Sequence, residues 1–461
     1  RGTRRGYCTK FHHAVDDISW QVGRTALWLH PACDDRRMAT MQNSGAAPVK
    51  ILGRGASSRG YLIRDFLHRS DVPFEWIELT SDEDARTQAG VSHVRDSRLP
   101  VCIFPDGTRL ECPTLRQITE KLGWFHDPTR AEYDLAIYGA GPAGLSAAVY
   151  GASEGLSTVV IERSAVGGQA GSSSKIENYL GFPGGITGAD LAERARNQAC
   201  RFGAEILIGR EGVRGEFIPG RGVGHLTDGT KIVARATICA TGVEYRRLNL
   251  PNEDRLLGAG VYYGAGASEA GACTAEDDVF IIGGGNSAGQ AALHFSRAAR
   301  SVTLVVLGAC LKETLSQYLV DRIHSAPNIR VLTNSQAVAI DGDEVLSSIT
   351  VEHRETGNRQ TFPTRHLFIC IGGVPHTTWA EEVGIQRDEG GYLITGPDLL
   401  RNGDGRPANW PLDRNPFYLE TSMPGVFAAG DVRHGSIKRC ASAVGEGAMA
   451  VAFVHRYLAG S

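Results

Sequence analysis

Residues 133–162 narrow the possible folds more than any other segment. YDLAIY (133–138) is an apolar run of strand length, LSAAVYGASEG (145–155) reads as a helix, and STVVIE (157–162) is a second apolar strand. Between the first strand and the helix stands Gly139-Ala140-Gly141-Pro142-Ala143-Gly144, a G-x-G-x-x-G. Gly139 makes the tight turn, Gly141 lets the backbone approach a pyrophosphate, and Gly144 lets the helix pack on the strand. The phosphates then meet the helix N-terminus, where free N–H groups and the helix dipole favour an anion. Glu162 ends the second strand, a position suited to a carboxylate accepting both hydroxyls of an adenosine ribose. Strand, glycines, helix and acid together specify a dinucleotide-binding unit.

The logic recurs at 278–308. Strand VFII (279–282) leads into Gly283-Gly284-Gly285-Asn286-Ser287-Ala288, a helix, and strand VTLVVL (302–307). Ala288 replaces the third glycine, a permitted change. Gly283, Gly285, Asn286, Ser287 and Ala288 are candidate contacts to a second dinucleotide. No acid ends this second strand. The fold class expected is α/β, with two Rossmann-type domains (three-layer ββα, FAD/NAD(P)-binding), one inserted in the other. The first is split between 130–247 and 372–461, and the second occupies 248–371.

Gly167-Gly168-Gln169 and Ile176-Glu177-Asn178-Tyr179-x-Gly181-Phe182 resemble the flavin-cradling loops of low-molecular-weight thioredoxin reductases, a resemblance that spans the chain from Tyr133 to Leu458. Ala240-Thr241-Gly242 closes a strand as in two-dinucleotide flavoproteins. Pro424-Gly425-Val426-Phe427-Ala428-Ala429-Gly430-Asp431 matches the second FAD signature of that superfamily. The resemblance implies FAD in the first unit, with Asp431 hydrogen-bonding the ribityl chain. It also places Arg439-Cys440-Ala441 where the family has Arg-Gln-Ala against the isoalloxazine. It further implies a homodimer.

Two departures bear on function. The family's catalytic C-x-x-C lies just before the second dinucleotide strand, and here Gly264 and Ala267 occupy the cysteine positions, with Ser268 for the family's Asp. Thiol–disulfide exchange needs a thiolate, which neither residue supplies. YYGAGASEA also resembles the active loop of a bacterial branch that pairs a degenerate N-terminal domain with a cysteine-free loop. In the second site, Val306, Leu307 and Gly308 fall where thioredoxin reductases carry the His-Arg-Arg that grips the NADPH 2′-phosphate, and Lys312 falls on a later Arg. Lys312 therefore tilts the expectation from NADH toward NADPH, and a Rossmann unit kept as scaffold stays open.

Residues 45–128 read as a βαβαββα unit. It resembles a thioredoxin or glutaredoxin domain, with Pro100 entering the third strand where that family has a cis proline. The segment that should hold a redox pair is Gly53-Arg54-Gly55-Ala56-Ser57-Ser58-Arg59, without sulfur. The expectation is a structural or partner-docking module. Residues 1–44 are Arg-rich at their start yet contain Asp16, Asp17, Asp34 and Asp35, which argues against a clean targeting peptide. They are taken as a leader, disordered or non-native, with organelle targeting left open. The ten cysteines include no C-x-x-C. Cys239 and Cys370 sit in apolar runs and read as buried small hydrophobes in a reducing, cytoplasmic compartment. Cys440 and Cys273 are the thiols with any redox prospect, and packing is the simpler role for both. His434 is either a proton carrier beside the ribityl site or a surface residue.

A net charge of −3 and a pI near 6.6 give no electrostatic reason to expect nucleic acid or an anionic membrane. No metal site is indicated. The function expected is a thioredoxin reductase-like, FAD-dependent oxidoreductase. NAD(P)H would reduce the flavin, and electrons would leave to an electron-transfer protein or small molecule. Three alternatives remain: an atypical thioredoxin-disulfide reductase, a ferredoxin- or flavodoxin-coupled reductase, and a non-catalytic flavin-binding sensor or docking protein.

Overall fold

A computed structural model of the chain describes residues 47–55, 57–218, 220–264, 273–400, 406–407 and 410–460. The expectations for the leader 1–44 and for Ala267 and Ser268 lie outside the described residues.

The N-terminal unit runs β1 (Val49–Gly53), α1 (Ser58–Arg69), β2 (Phe74–Glu78), α2 (Asp82–Thr87), β3 (Val101–Ile103), β4 (Arg109–Glu111) and α3 (Leu115–Lys121). Local chemistry sets the helix starts. The Ser57 side chain accepts from the Gly60 N–H, and capping boxes Ser81/Asp84 and Thr114/Gln117 open α2 and α3. The sheet order is β2-β1-β3-β4, with β1 parallel to β2 and antiparallel to β3. Leu99–Pro100 is cis, at the entry to β3. Ile63, Phe66 and Leu67 point from α1 into the core.

Strands β5 (Tyr133–Tyr138), β6 (Thr158–Glu162) and β7 (Glu205–Ile208) follow, with α4 (Pro142–Ser153) after β5 and α5 (Gly188–Arg201) before β7. They are parallel and lie beside an antiparallel run of β8 (Gly212–Ile218), β9 (Arg221–Leu226) and β10 (Lys231–Cys239). The order is β7-β6-β5-β10-β9-β8. The chain then leaves this sheet through β11 (Glu244–Tyr245). Five parallel strands make the next one, in the order β12-β19-β13-β14-β15: β12 (Val261–Tyr263), β13 (Asp278–Ile282), β14 (Ser301–Val305), β15 (Ile329–Leu332) and β19 (His366–Ile369). It carries α6 (Asn286–Phe295) and α7 (Gln317–Ser325). Between β15 and β19 lies an antiparallel sheet of β16 (Ser335–Asp341), β17 (Ser348–His353) and β18 (Arg359–Pro363). The chain returns through β20 (Gly373–Val374), which pairs with β11. Strand β21 (Val426–Ala428) then rejoins β10 in parallel, and α8 (Cys440–Ala459) packs across α4. Residues 426–459 therefore belong to the same layer system as 133–239, although the whole second sheet is inserted between β10 and β21.

Small residues let these layers close up. A Cβ on Gly447 of α8 would stand 2.1 Å from the Ala143 carbonyl, so α4 and α8 meet backbone to backbone. The N-terminal unit shares a core with the 133–239 sheet. Arg210 fastens the joint. It is fully buried and bonds Asp228 (2.8 Å), Asp127 (2.9 Å) and the His126 carbonyl (2.6 Å), with its guanidinium 4.2 Å from the Phe125 ring centre.

Candidate cofactor sites

At the first glycine turn the backbone adopts what the motif requires. Gly139 has φ +102, and a Cβ there would stand 2.4 Å from the Ala240 carbonyl oxygen. A Cβ on Gly144 would stand 1.8 Å from the Gly139 carbonyl. Gly141 differs, because its open side faces only the Gly168 Cα at 3.9 Å. Gly141 and Gly168, each without a side chain, thus border an open cleft at the start of α4. Pro142 opens that helix and no side chain caps it, so its first-turn donors stand ready for an anion. Ala143 is buried behind them.

Glu162 is buried, 8% exposed. One carboxylate oxygen accepts the Ala140 N–H and the other the Ser164 N–H, both at 2.8 Å. It thereby ties the second strand to the glycine turn, and two of about four lone-pair positions remain for ribose hydroxyls. Gln169 donates to the Val243 carbonyl (2.7 Å), which binds its loop to the segment after Ala240, Thr241 and Gly242. Asn178 is exposed.

Gly430 and Asp431 form a short 3-10 turn after β21. The Asp431 carboxylate accepts no hydrogen bond among the described residues, and burial pushes its pKa up against the opposing pull of Lys438. A half-buried carboxylate without a donor suits a polyol hydroxyl. Arg439, Cys440 and Ala441 open α8. Burial, followed by the Asp431 charge, pushes the Cys440 thiol up to about 11, so it is protonated at neutral pH and a poor nucleophile. Iodoacetamide at pH 7.5 is therefore expected to label exposed Cys310 well before Cys440, read by peptide mass mapping. Comparable labelling rates would overturn that assignment. Cys239 and Cys370 are buried and pushed up to about 12. His434 is tied to Asp388 through Nδ1 at 2.6 Å.

Pro142, Gly167, Tyr179, Phe182, Leu191 and Cys440 line one groove of about 480 Å³. Of the candidate cofactor residues only Pro142 and Cys440 line it, so the groove runs beside the glycine turn and does not contain Glu162, Gly168 or Asp431. Taken separately, the uncapped helix start at Gly141 and Pro142, the fixed Glu162 carboxylate and the Asp431 carboxylate have the chemistry for pyrophosphate, ribose and polyol.

Three contributors escaped sequence reasoning. Glu446 on α8 accepts the Gly430 N–H (2.7 Å) and pairs with Arg433, which fixes the turn bearing Asp431. Arg69 at the end of α1 donates to the Gly168 carbonyl (2.9 Å) and the Ala165 carbonyl (3.3 Å), so the N-terminal unit steadies the loop facing Gly141. Glu420 is buried under Arg414 and accepts the Gly425 N–H (3.0 Å) ahead of β21. Nothing in their local sequence marks them, because each acts on a segment far along the chain or across a turn.

In the second site Gly283 has φ +143, with its missing Cβ against the Cys370 carbonyl, and Gly285 faces open space at the uncapped start of α6. Asn286 exchanges hydrogen bonds with Ser316 (2.9 and 2.8 Å). Ala288 is buried under the turn and Ser287 is exposed. Lys312 is exposed and makes no ion pair among the described residues. No acid ends this strand, but the turn that follows sets a Glu313 carboxylate oxygen 2.7 Å from where a Cβ of Gly308 would stand.

Gly264 has φ +77, and a Cβ there would lie 2.5 Å from the Tyr245 hydroxyl. Beside it, Tyr262 packs on Tyr61 of α1 with ring centres 5.4 Å apart. A Cβ on Gly258 would strike the Tyr61 Cβ at 2.8 Å. The start of α1, where the N-terminal unit lacks its sulfur, is therefore seated next to the strand that leads to Gly264.

Residues 133–447 match a family described as pyridine nucleotide-disulphide oxidoreductase. Thioredoxin reductase of Listeria innocua is 34% identical over 328 residues, spanning 71% of this chain and 94% of that protein. The bifunctional thioredoxin reductase/thioredoxin of Mycobacterium leprae is also 34% identical over 328 residues, and these cover 66% of its length. Among solved structures, Lactococcus lactis thioredoxin reductase (FR conformation) superposes with a TM-score of 0.63 at 28% identity, covering 71% of this chain and 100% of the other. That of T. acidophilum gives 0.62 at 30% identity, covering 71% and 99%.

Proposed function

Because the chain belongs to the pyridine nucleotide-disulphide oxidoreductase family, as a thioredoxin reductase homologue, we propose that it is an FAD-dependent oxidoreductase that takes hydride from a reduced nicotinamide and delivers electrons to an acceptor other than a dithiol of its own. FAD, when bound, supplies the two-electron chemistry, and the protein supplies orientation and electrostatics. Residues Gly141, Gly168 and the start of α4 would hold the pyrophosphate, Glu162 the adenosine ribose, and Asp431 the ribityl hydroxyls. The Lys438 ammonium, which donates to the Asp431 carbonyl (2.7 Å), braces that turn.

The observation that carries the non-dithiol reading is Gly264. It has no sulfur, its backbone lies in the left-handed region, and the Tyr245 hydroxyl occupies the space a side chain would take. Even a cysteine restored at 264 would be strained. The acceptor is then an electron-transfer protein or a small molecule. Residues 49–121 read best as a thioredoxin-like module held in place by Tyr61 and Arg69, without thiol chemistry. A flavin-binding redox sensor is the second reading, favoured by that same seating, next to the strand leading to Gly264, of a module with no cysteine between its first strand and first helix.

Anaerobic mixing of the FAD-loaded protein with NADH and with NADPH is expected to bleach the flavin within seconds for at least one of them. Oxidised thioredoxin added with that nucleotide is expected to stay oxidised. Failure of both nucleotides to bleach the flavin would leave the sensor reading. Thioredoxin turnover at the rate of ordinary thioredoxin reductases would overturn the non-dithiol assignment.

A further inference from the structure

In the first unit the ribose acid, Glu162, is read from sequence because it ends the strand that follows the glycine helix. The equivalent position in the second unit, aligned on Gly283, is Val306, which is buried and apolar. Leu307 follows, 55% exposed and without a polar group. The chain nevertheless delivers an acid to this place from further along. A short 3-10 helix, Leu311–Glu313, folds back over the strand end. It sets one Glu313 carboxylate oxygen 2.7 Å from where a Cβ of Gly308 would stand. The other oxygen lies 3.6 Å from the Cys310 sulfur.

The following residues fasten this segment to the second glycine turn. The Thr314 hydroxyl donates to the Gly284 carbonyl, and Ser316 and Asn286 bond each other twice. Glu313 is thus held between the end of β14 and the turn between β13 and α6. In a Rossmann-type unit the adenosine ribose lies between those two features. Asn334, whose N–H bonds the Gly308 carbonyl, joins Arg354 through its backbone and Glu355 through its side chain. Lys312 points to no partner among the described residues.

We infer that Glu313 is the specificity-determining residue of the second site and selects the nucleotide without a 2′-phosphate, that is NADH over NADPH. Its carboxylate accepts from a free 2′-hydroxyl. A 2′-phosphate in the same place would set like charges against each other. This reverses the preference drawn from Lys312 alone. The inference rests on the nicotinamide reading above.

The test is calorimetric binding to the intact, FAD-loaded protein, with ADP-ribose and 2′-phospho-ADP-ribose as probes. The expected result is about tenfold or more tighter binding of ADP-ribose, a ratio set by one like-charge contact. Glu313→Gln should narrow that ratio, and Glu313→Arg should invert it. Equal or tighter binding of the phosphorylated probe by the unaltered protein, or an unchanged ratio in Glu313→Gln, would overturn the assignment while leaving the second site a nucleotide site. Binding of neither probe would overturn the nicotinamide reading and this inference with it.

Discussion

Asp431→Ala is expected to weaken FAD binding by about 10- to 100-fold, with the chain still folded. Hydrogen bonds to a charged group contribute about 1.5–3 kcal/mol, and that range converts to this loss. The carboxylate is half-buried, finds no donor within the described protein, and has its pKa raised by that burial. It is therefore held ready for a partner the protein does not itself provide. Removing it should cost little stability without flavin, because no protein hydrogen bond is lost. The same turn is fixed independently through the Gly430 N–H and the Arg433–Glu446 pair. Titration of the stripped protein with FAD, followed by flavin fluorescence, measures the change, and Asp431→Asn should recover part of it. An alanine variant that keeps its flavin through gel filtration and titrates like the unaltered protein would remove Asp431 from the site.

The largest loss of stability is expected from Arg210→Ala, at about 3–5 kcal/mol, the usual result of stripping one partner from a buried ion pair. Arg210 is among the largest fully buried side chains, and Asp228, its partner at 2.8 Å, is itself almost fully buried. The substitution takes from that carboxylate its closer guanidinium, leaving Arg116 at 3.9 Å, and takes the donor from the His126 carbonyl. It also empties the space against Phe125. These contacts hold the linker between the N-terminal unit and the 133–239 sheet, so α1 should lose its seat beside Gly258 and Tyr262. Urea unfolding followed by tryptophan fluorescence reads the effect at Trp124, which stands next to the linker. Arg214→Ala, at an exposed pair, is the control. A midpoint shift no larger than that control would show that Arg210 is not the fastening of this joint.

How much of the site was legible depended on sequence distance. Gly139, Gly141, Gly144 and Glu162 lie within one strand–turn–helix–strand unit, where backbone periodicity places each residue relative to the next. Asp431 was legible because an apolar strand and a Gly-Asp pair arrive together. The charge of Lys312 suits a phosphate, yet no residue count shows that the Glu313 carboxylate folds back to Gly308. Arg69, Glu446 and Glu420 were invisible for the same reason, since each bonds a backbone group that is not adjacent in the chain. The order βαβαββα of the N-terminal unit followed from apolar spacing and turn residues. Its seating against Tyr262 did not, because that contact depends on how two separate cores share a surface.

The sequence by itself determined that this protein carries two strand–glycine turn–helix units, a Gly-Asp pair after an apolar strand near its C-terminus, and Gly264 and Ala267 where the family it resembles has its two cysteines. Those are properties of residue type and short-range spacing. The tertiary structure alone decided that a side chain at 264 would collide with Tyr245, that the Glu313 carboxylate stands against Gly308, and that the N-terminal module sits beside the strand leading to Gly264. Such outcomes follow from where packing brings distant segments together, and close packing leaves few alternatives once the layers have closed.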